Sequence, residues 1–409
     1  MHRLWSAAIL SLGLLSACGG GGDDRSSTTQ ATLLASVAGC ERAAVHDSGH
    51  VIYVIVAREC SAISLPRALS LSMADSPPGA SSGTVRLEMN EGEEVDGVTI
   101  PSLGVRRVGL YREGQWRRID NTDSWQPRDG PGLLLLKGEL YLLGGWLWGP
   151  TSSEVWKTRD LVHWEFLGDA PWPARHGAGW VVHEERLYVV GGDWLRDTWS
   201  SANGTDWVQH SATAPFGTLY TPNVASVGGR LVLYGGQGGT DGVNKVWESR
   251  DGASWQLLQD SAPWTGRGLV HGSAVHDGRI FLVGGGVKAV PPGQSSPETS
   301  QEFSDIWSSA DGVDWRLEAD SLGFAPRTHF SLTATPKGCF VSDGSVGTQA
   351  AVSNDLFHAV DCVNFAPVPD TPPLPPRHAS AMAYFNGSLV ILGGPPAGGA
   401  GTTVWQYFP

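Results

Sequence analysis

Among its 409 residues this chain has almost no apolar run long enough to cross a bilayer. The one candidate, MHRLWSAAILSLGLLSAC at the N-terminus, has an apolar part shorter than the roughly 20 residues a spanning helix needs. Positive charge is scarce. Lys and Arg number 28 against 41 Asp and Glu, a formal charge of −13, which argues against nucleic acid as a partner. Cysteine is limited to five residues with no CxxC spacing, which leaves metal binding as the lesser alternative to disulfides. There is no Gly-x-Ser-x-Gly, no P-loop and no HExxH. No cofactor is expected, and no catalytic residue is assigned.

What stands at the N-terminus is a secretory signal: a basic start, a short apolar stretch and small residues before a cysteine. Leu15-Ser16-Ala17-Cys18 resembles a bacterial lipobox. That resemblance implies cleavage before Cys18 and lipidation of Cys18, which gives a membrane anchor. Gly19, where Asp would signal retention, implies the outer membrane. The alternative is an ordinary signal cut nearby. Residues 19–38 read as a flexible tether, since Gly19 to about Gln30 is rich in Gly, Ser, Thr and Asp. With Cys18 set aside, Cys40, Cys60, Cys339 and Cys362 remain, an even number in an exported chain, and disulfides are expected.

The body of the chain is a repeat. A glycine landmark recurs at Gly144-Gly145, Gly191-Gly192, Gly235-Gly236, Gly284-Gly285, Asp343-Gly344 and Gly393-Gly394, at spacings of 47, 44, 49, 59 and 50 residues. The pairs Trp156/Trp164, Trp199/Trp207, Trp247/Trp255, Trp307/Trp315 and Phe357/Phe365 are each eight apart. The intervening segments are rich in Val, Leu, Tyr and Trp and too short for ordinary helices, so each reads as a strand. Four strands form one small antiparallel sheet, which must stack on its copies to bury both faces. The 59-residue spacing contains the Pro/Ser/Gln-rich insertion Val287 to Phe303.

Paired glycines ending the second strand, an aromatic in the third and an Arg leading into the first resemble the Kelch repeat. The resemblance spans 105–409 and implies an all-β fold: a six-bladed β-propeller of four-stranded antiparallel blades, with a small N-terminal β module or extension over 39–104. The turns Ser249 to Trp255 and Ser309 to Trp315 resemble a shortened sialidase Asp-box. Part of the N-terminal segment offers an alternative, a degenerate seventh blade, since Ala44-Val45-His46-Asp47 matches Ala274-Val275-His276-Asp277. Val108 to Ile119 reads as a hairpin without a first half, and the last copy has no fourth strand. A strand near Trp116 therefore completes the last blade. Cys339 and Cys362 fall at the same end of one meander, within bridging reach.

Counting back 16 residues from each landmark reaches Arg128, Arg175, Arg327 and Arg377, with Arg267 one residue off and Leu219 in the third copy. In propellers the first strand lines the channel, so these arginines are expected to ring one mouth and bind anions bidentately. The competing reading makes them structural. His176, His329 and His378 lie beside them, at offsets that turn their side chains in different directions, so no metal site is assigned. Trp146, Trp148 and Trp194 follow the second strands at the same mouth. Tryptophans beside arginines suit acidic glycans. The resulting expectation is a monomeric envelope protein that presents its mouth to a protein or acidic glycan. The alternative is a sugar-acting enzyme resembling sialidases or the Kelch-type sialate mutarotases.

Overall fold

The repeat folds because its second strands are apolar without interruption. Leu140 to Leu143, Leu187 to Val190, Leu231 to Tyr234 and Ile280 to Val283 are buried throughout, as strands covered on both faces must be. The computed structural model describes residues 33–40, 42–60, 67–73, 83–120, 125–238, 241–289, 299–347, 351–370, 372–394 and 402–409. The signal, Cys18, most of the tether and the middle of the 287–303 insertion lie outside them. Every regular element described is a strand.

The first repeat sheet runs Gly132–Leu136, Glu139–Leu143, Glu154–Thr158, Trp164–Asp169, each antiparallel to the next. Sheets of the same order occupy 179–211, 223–259, 274–319 and 330–367, the last gaining Val270–His271 as an extra strand parallel to Phe330–Thr335. The last takes three strands from 380–407, and Trp116–Asp120 pairs with Thr403–Tyr407 as its fourth. Six apolar cores each lie between two successive sheets, the sixth joining the last sheet (Val390, Leu392) to the first (Leu140, Leu142). Stacked four-stranded meanders with cores between them are the architecture of a β-propeller.

The strict aromatic spacing has a local cause. The third strand carries a bulge just before its Trp in four sheets, at Trp156, Trp199, Trp247 and Trp307. The turn that follows closes on a Ser hydroxyl, as where Ser249 Oγ accepts the Gly252 N–H at 2.9 Å. The fourth-strand Trp255 indole N–H returns to the Gly252 carbonyl at 3.0 Å. Trp207 and Trp315 repeat this bond at 2.9 and 3.0 Å. The Asp-box-like turns are therefore structural staples.

Residues 33–112 form two further sheets. One has Leu33–Val37, Arg67–Met73 and Val85–Met89; the other orders Ala43–Asp47, Val51–Val56, Gly104–Arg112 and Glu94–Ile100. They share a core of Ile52, Val54, Leu69, Leu71, Met89 and Leu110. Three expectations change. Ordered strand begins at Leu33, inside the stretch read as tether. Gly104–Arg112 belongs to this module, because it pairs in parallel with Val51–Val56, and the expected Val108 to Ile119 hairpin is split between two sheets. That parallel pair is not part of a meander, so the segment is not a seventh blade. The module rests on turns between first and second strands: Asn386 Nδ2 donates to the Val51 carbonyl at 3.0 Å, and Lys337 pairs with Glu113 at 3.2 Å. The opposite end of the sheets carries the candidate site. Disulfides join Cys40 to Cys60 and Cys339 to Cys362.

Candidate functional site

The five arginines do not face a mouth. Arg128, Arg175, Arg267, Arg327 and Arg377 are all at most 2% exposed. Arg175 shows the pattern. Its Nε donates to the Pro173 carbonyl at 2.9 Å, Nη1 to the Gly191 carbonyl at 2.9 Å, and the fork grips Asp197 at 2.7 and 2.8 Å. Burial pushes the Asp197 carboxyl up, but the Arg175 hydrogen bonds and charge outweigh it and hold the group below the ordinary carboxylate range. Arg128 pairs likewise with Glu154 at 2.6 Å, Arg267 with Asp305 and Arg327 with Asp355. Each of these four guanidiniums thus ties the lead-in of the first strand, the end of the second and the start of the third within one sheet, and Arg377 makes the first two of these contacts, to the Pro375 carbonyl at 3.1 Å and the Gly393 carbonyl at 2.9 Å. The expected anion-binding ring is corrected on this ground, because no donor face is presented to solvent.

The partner acids were visible in the sequence. Glu154, Asp197, Asp305 and Asp355 each stand two residues before the third-strand aromatic. The third copy, which has Leu219 in place of Arg, has Lys245 at that position. The arginine carbonyls bind neighbouring sheets. Gly145 N–H donates to Arg175 O at 2.9 Å, and Gly394 N–H to Arg128 O at 2.9 Å. A Cβ at Gly192, where φ is +85°, would come within 2.4 Å of Ala178 Cα, so the second landmark position has no room for a side chain.

Two residues beyond each arginine position, six residues are left-handed: Gly130, Gly177, Thr221, Leu269, His329 and Ala379, with φ from 47° to 61°. They adjoin one another as a belt: five of the six joints are hydrogen bonds, and at the sixth a Cβ on Gly177 would lie 2.9 Å from Thr221 Cγ2. Gly177 N–H donates to Gly130 O at 2.8 Å, Leu269 N–H to Thr221 Oγ1 at 2.8 Å, and Gly130 N–H to Ala379 O at 2.8 Å. His329 and Ala379 continue it at 2.6 Å each. The His271 ring fills the space inside: a Cβ on Gly130 would lie 3.1 Å from its Cε1. Burial pushes His271 down to about 4, so it is neutral at pH 7.

The belt explains the histidines. His329 is on it, buried, its ring 5.8 Å from His271 and 5.9 Å from His378. His176 and His378 stand one residue earlier and remain partly exposed. His378 Nε2 lies 3.3 Å from Asp129 Oδ2. Asp193 Oδ2 accepts both the His176 main-chain N–H at 3.0 Å and its Nδ1 at 2.9 Å. Nδ1 therefore carries a proton, and Nε2 accepts the Tyr220 hydroxyl at 3.1 Å. Trp194 stacks on Tyr220, with centroids 5.6 Å apart and planes 17° apart. Trp146 and Trp148 pair at 4.8 Å on the adjacent sheet. Trp148 is 53% exposed and Trp194 43%. Among the described residues, no three His, Cys, Asp or Glu side chains could hold a metal ion.

Of the expected site residues, then, His176, His378, Trp146, Trp148 and Trp194 reach the open end, whereas the arginines and His329 are interior. Asp129, Asp193 and His271 were missed, and nothing in their spacing marks them. Tyr220 also stands at this end, its hydroxyl 3.1 Å from His176 Nε2.

No protein-family model matches the chain, and no curated protein matches it. Among solved structures, that of YjhT is similar over 70% of this chain and 96% of its own, with a TM-score of 0.54 and 15% sequence identity. At that identity the likeness is one of fold: all-β, Kelch-like and propeller-like.

Proposed function

We propose that this protein is an envelope-anchored binding protein whose six sheets are the blades of a closed ring, and that the ring's open mouth takes a glycan. The cycle of six inter-sheet cores and the belt support the ring. The observation that carries the function is the pair of exposed indoles, Trp148 and Trp194, the latter next to the partly exposed Asp193 carboxylate. Indole faces stack on sugar rings, and carboxylates accept sugar hydroxyls. With the guanidiniums buried, recognition does not depend on an anionic ligand. The test is a glycan array probed with the soluble domain, then calorimetry on the retained sugar. Trp194→Ala should lose about 2 kcal/mol, roughly thirtyfold in Kd, with an unchanged melting temperature. Equal retention by wild type and variant would sink this reading.

Anchoring rests on the lipobox-like Leu15-Ser16-Ala17-Cys18. Cys18→Ser should release the protein from membranes, since the lipid is the only proposed anchor. A variant that still sediments with membranes after salt washing would refute it. A second reading, a sugar-acting enzyme, is favoured by the contact of Tyr220 with His176, whose imidazole Asp193 holds.

A further inference from the structure

We infer that the mouth takes an amino sugar with a free, protonated amine, whose ring stacks on Trp194 and whose ammonium meets the Asp193 carboxylate. This rests on the proposed glycan mouth and adds the charge of its ligand.

Only half of the Asp193 carboxylate is used by the protein. Its Oδ2 accepts the His176 main-chain N–H at 3.0 Å and His176 Nδ1 at 2.9 Å. Its Oδ1 accepts no hydrogen bond from the described residues, and the side chain is 20% exposed. Neither donor brings a positive charge, because the second imidazole nitrogen accepts the Tyr220 hydroxyl at 3.1 Å. Asp197, four residues on, differs: the Arg175 fork compensates it at 2.7 and 2.8 Å. Asp193 thus keeps an unmatched charge at the open end, and a cationic donor is the ligand group that matches it.

The next residue supplies a surface of the same preference. Trp194 is 43% exposed and stacks on Tyr220 with planes 17° apart. The negative π face of an indole attracts an ammonium as well as the apolar face of a sugar ring. A protonated amine on a stacked ring therefore satisfies carboxylate and indole together. The formal charge of −13 adds a field that concentrates cations. Deeper in, His271 Nε2 is buried with no hydrogen-bond partner. A Cβ on Gly130 would lie 3.1 Å from His271 Cε1 and 3.4 Å from His176 Cδ2, so the two imidazoles flank that glycine. A buried polar atom left unmet is costly, and a ligand hydroxyl would relieve it. Of the other charged groups near this end, Asp129 contacts His378 Nε2 at 3.3 Å, and Arg196, two residues from Trp194, is exposed. Arg196 is the cation that an acidic sugar would use instead.

Calorimetry on the intact protein tests this with two β-1,4-linked trimers, one of glucosamine and one of N-acetylglucosamine. The glucosamine trimer should bind about tenfold more tightly at pH 7 and low salt, as one charge-assisted contact provides. Added salt should shrink the advantage, and it should vanish at about pH 9, where an amine that titrates near 8 is neutral. Asp193→Asn keeps an acceptor for His176 and should remove the advantage with the melting temperature unchanged. Equal affinity for the two trimers, zero included, from a mouth that retains other sugars on the array would overturn the amine and leave the glycan mouth standing. Tighter binding of a galacturonate trimer, lost in Arg196→Ala, would overturn it too and move recognition to that guanidinium. An array on which no glycan is retained would remove the mouth and this inference together.

Discussion

At the scale of single residues, the molecule separates side chains that fasten from side chains that face outward. Arg327 fastens: its Nη1 donates to the Asp343 carbonyl at 2.9 Å, and the fork pairs with Asp355. Asp355 is itself 36% exposed, so water screens the charge left behind; the cost of losing Arg327 lies in the void and in the unmet Ala325 and Asp343 carbonyls, about 3 kcal/mol together. Arg327→Ala should therefore lower the stability of the ligand-free protein about as much as Trp315→Ala, since truncating a largely buried Trp costs roughly 3–5 kcal/mol. Urea unfolding of both variants checks this; an Arg327→Ala curve superposing on wild type would contradict it. Asp343 is a second case. It stands where other copies have glycine, keeps the left-handed φ of 56°, is fully buried and accepts the Ser380 hydroxyl. Burial pushes it up to about 7, against the opposing pull of Ser380, Arg377, His378 and Arg327. Between the ordinary carboxylate value and about 7 the unfolded chain is ionised while the folded one keeps its proton, so stability falls as pH rises through this window. Asp343→Gly removes that dependence. Its melting temperature relative to wild type should climb from pH 4 to pH 8; a constant difference would refute the assignment.

At the scale of elements, closure is made by a strand distant in sequence. Trp116–Asp120 completes the sheet that ends at Tyr407, and Phe408 is fully buried against Tyr53 and Tyr111. A truncated chain beginning at Trp125 would leave Thr403–Tyr407 with an open edge. It should elute as aggregate in size-exclusion chromatography; a monomer as stable as the full chain would contradict the closing role. The disulfide Cys339–Cys362 links residues 23 apart at the end of one sheet. Closing a loop of that size stabilises by roughly 3 kcal/mol. Cys339→Ala with Cys362→Ala should lower the urea midpoint accordingly. Elements also show where sequence reading stopped. The eight-residue aromatic spacing was legible because its cause is local, a bulge and a Ser-closed turn. The pairing of Gly104–Arg112 with Val51–Val56 was not, because a parallel pair carries no turn between its strands to announce it.

At the scale of the whole molecule, the N-terminal module and the mouth lie at opposite ends of the sheets. His46 sits at the module's contact with Gly387, and burial first, then the charge of Lys337, pushes it down to about 4. His271 at the centre of the belt is also pushed down to about 4. Both are neutral when folded, whereas their unfolded forms bind a proton below the ordinary value of 6.5. The unfolded state thus binds more protons, and stability falls as pH drops from about 6.5 toward 4. Two histidines outweigh the opposite slope of Asp343 there, so the melting temperature should decline over that range. His46→Gln should flatten part of the decline, and a profile unaltered by that change would exclude His46 as a source.

The sequence by itself determined the strands, the number of repeats and the fasteners' positions, because apolar runs, glycine pairs and aromatic spacings act over neighbouring residues. It placed Arg175 and His176 side by side and could not say which way either pointed. Only the tertiary structure decided that, since direction depends on left-handed residues such as Gly177 and on partners brought from other strands and sheets. Asp197 took the guanidinium inward, and Asp193 with Tyr220 held the imidazole at the open end.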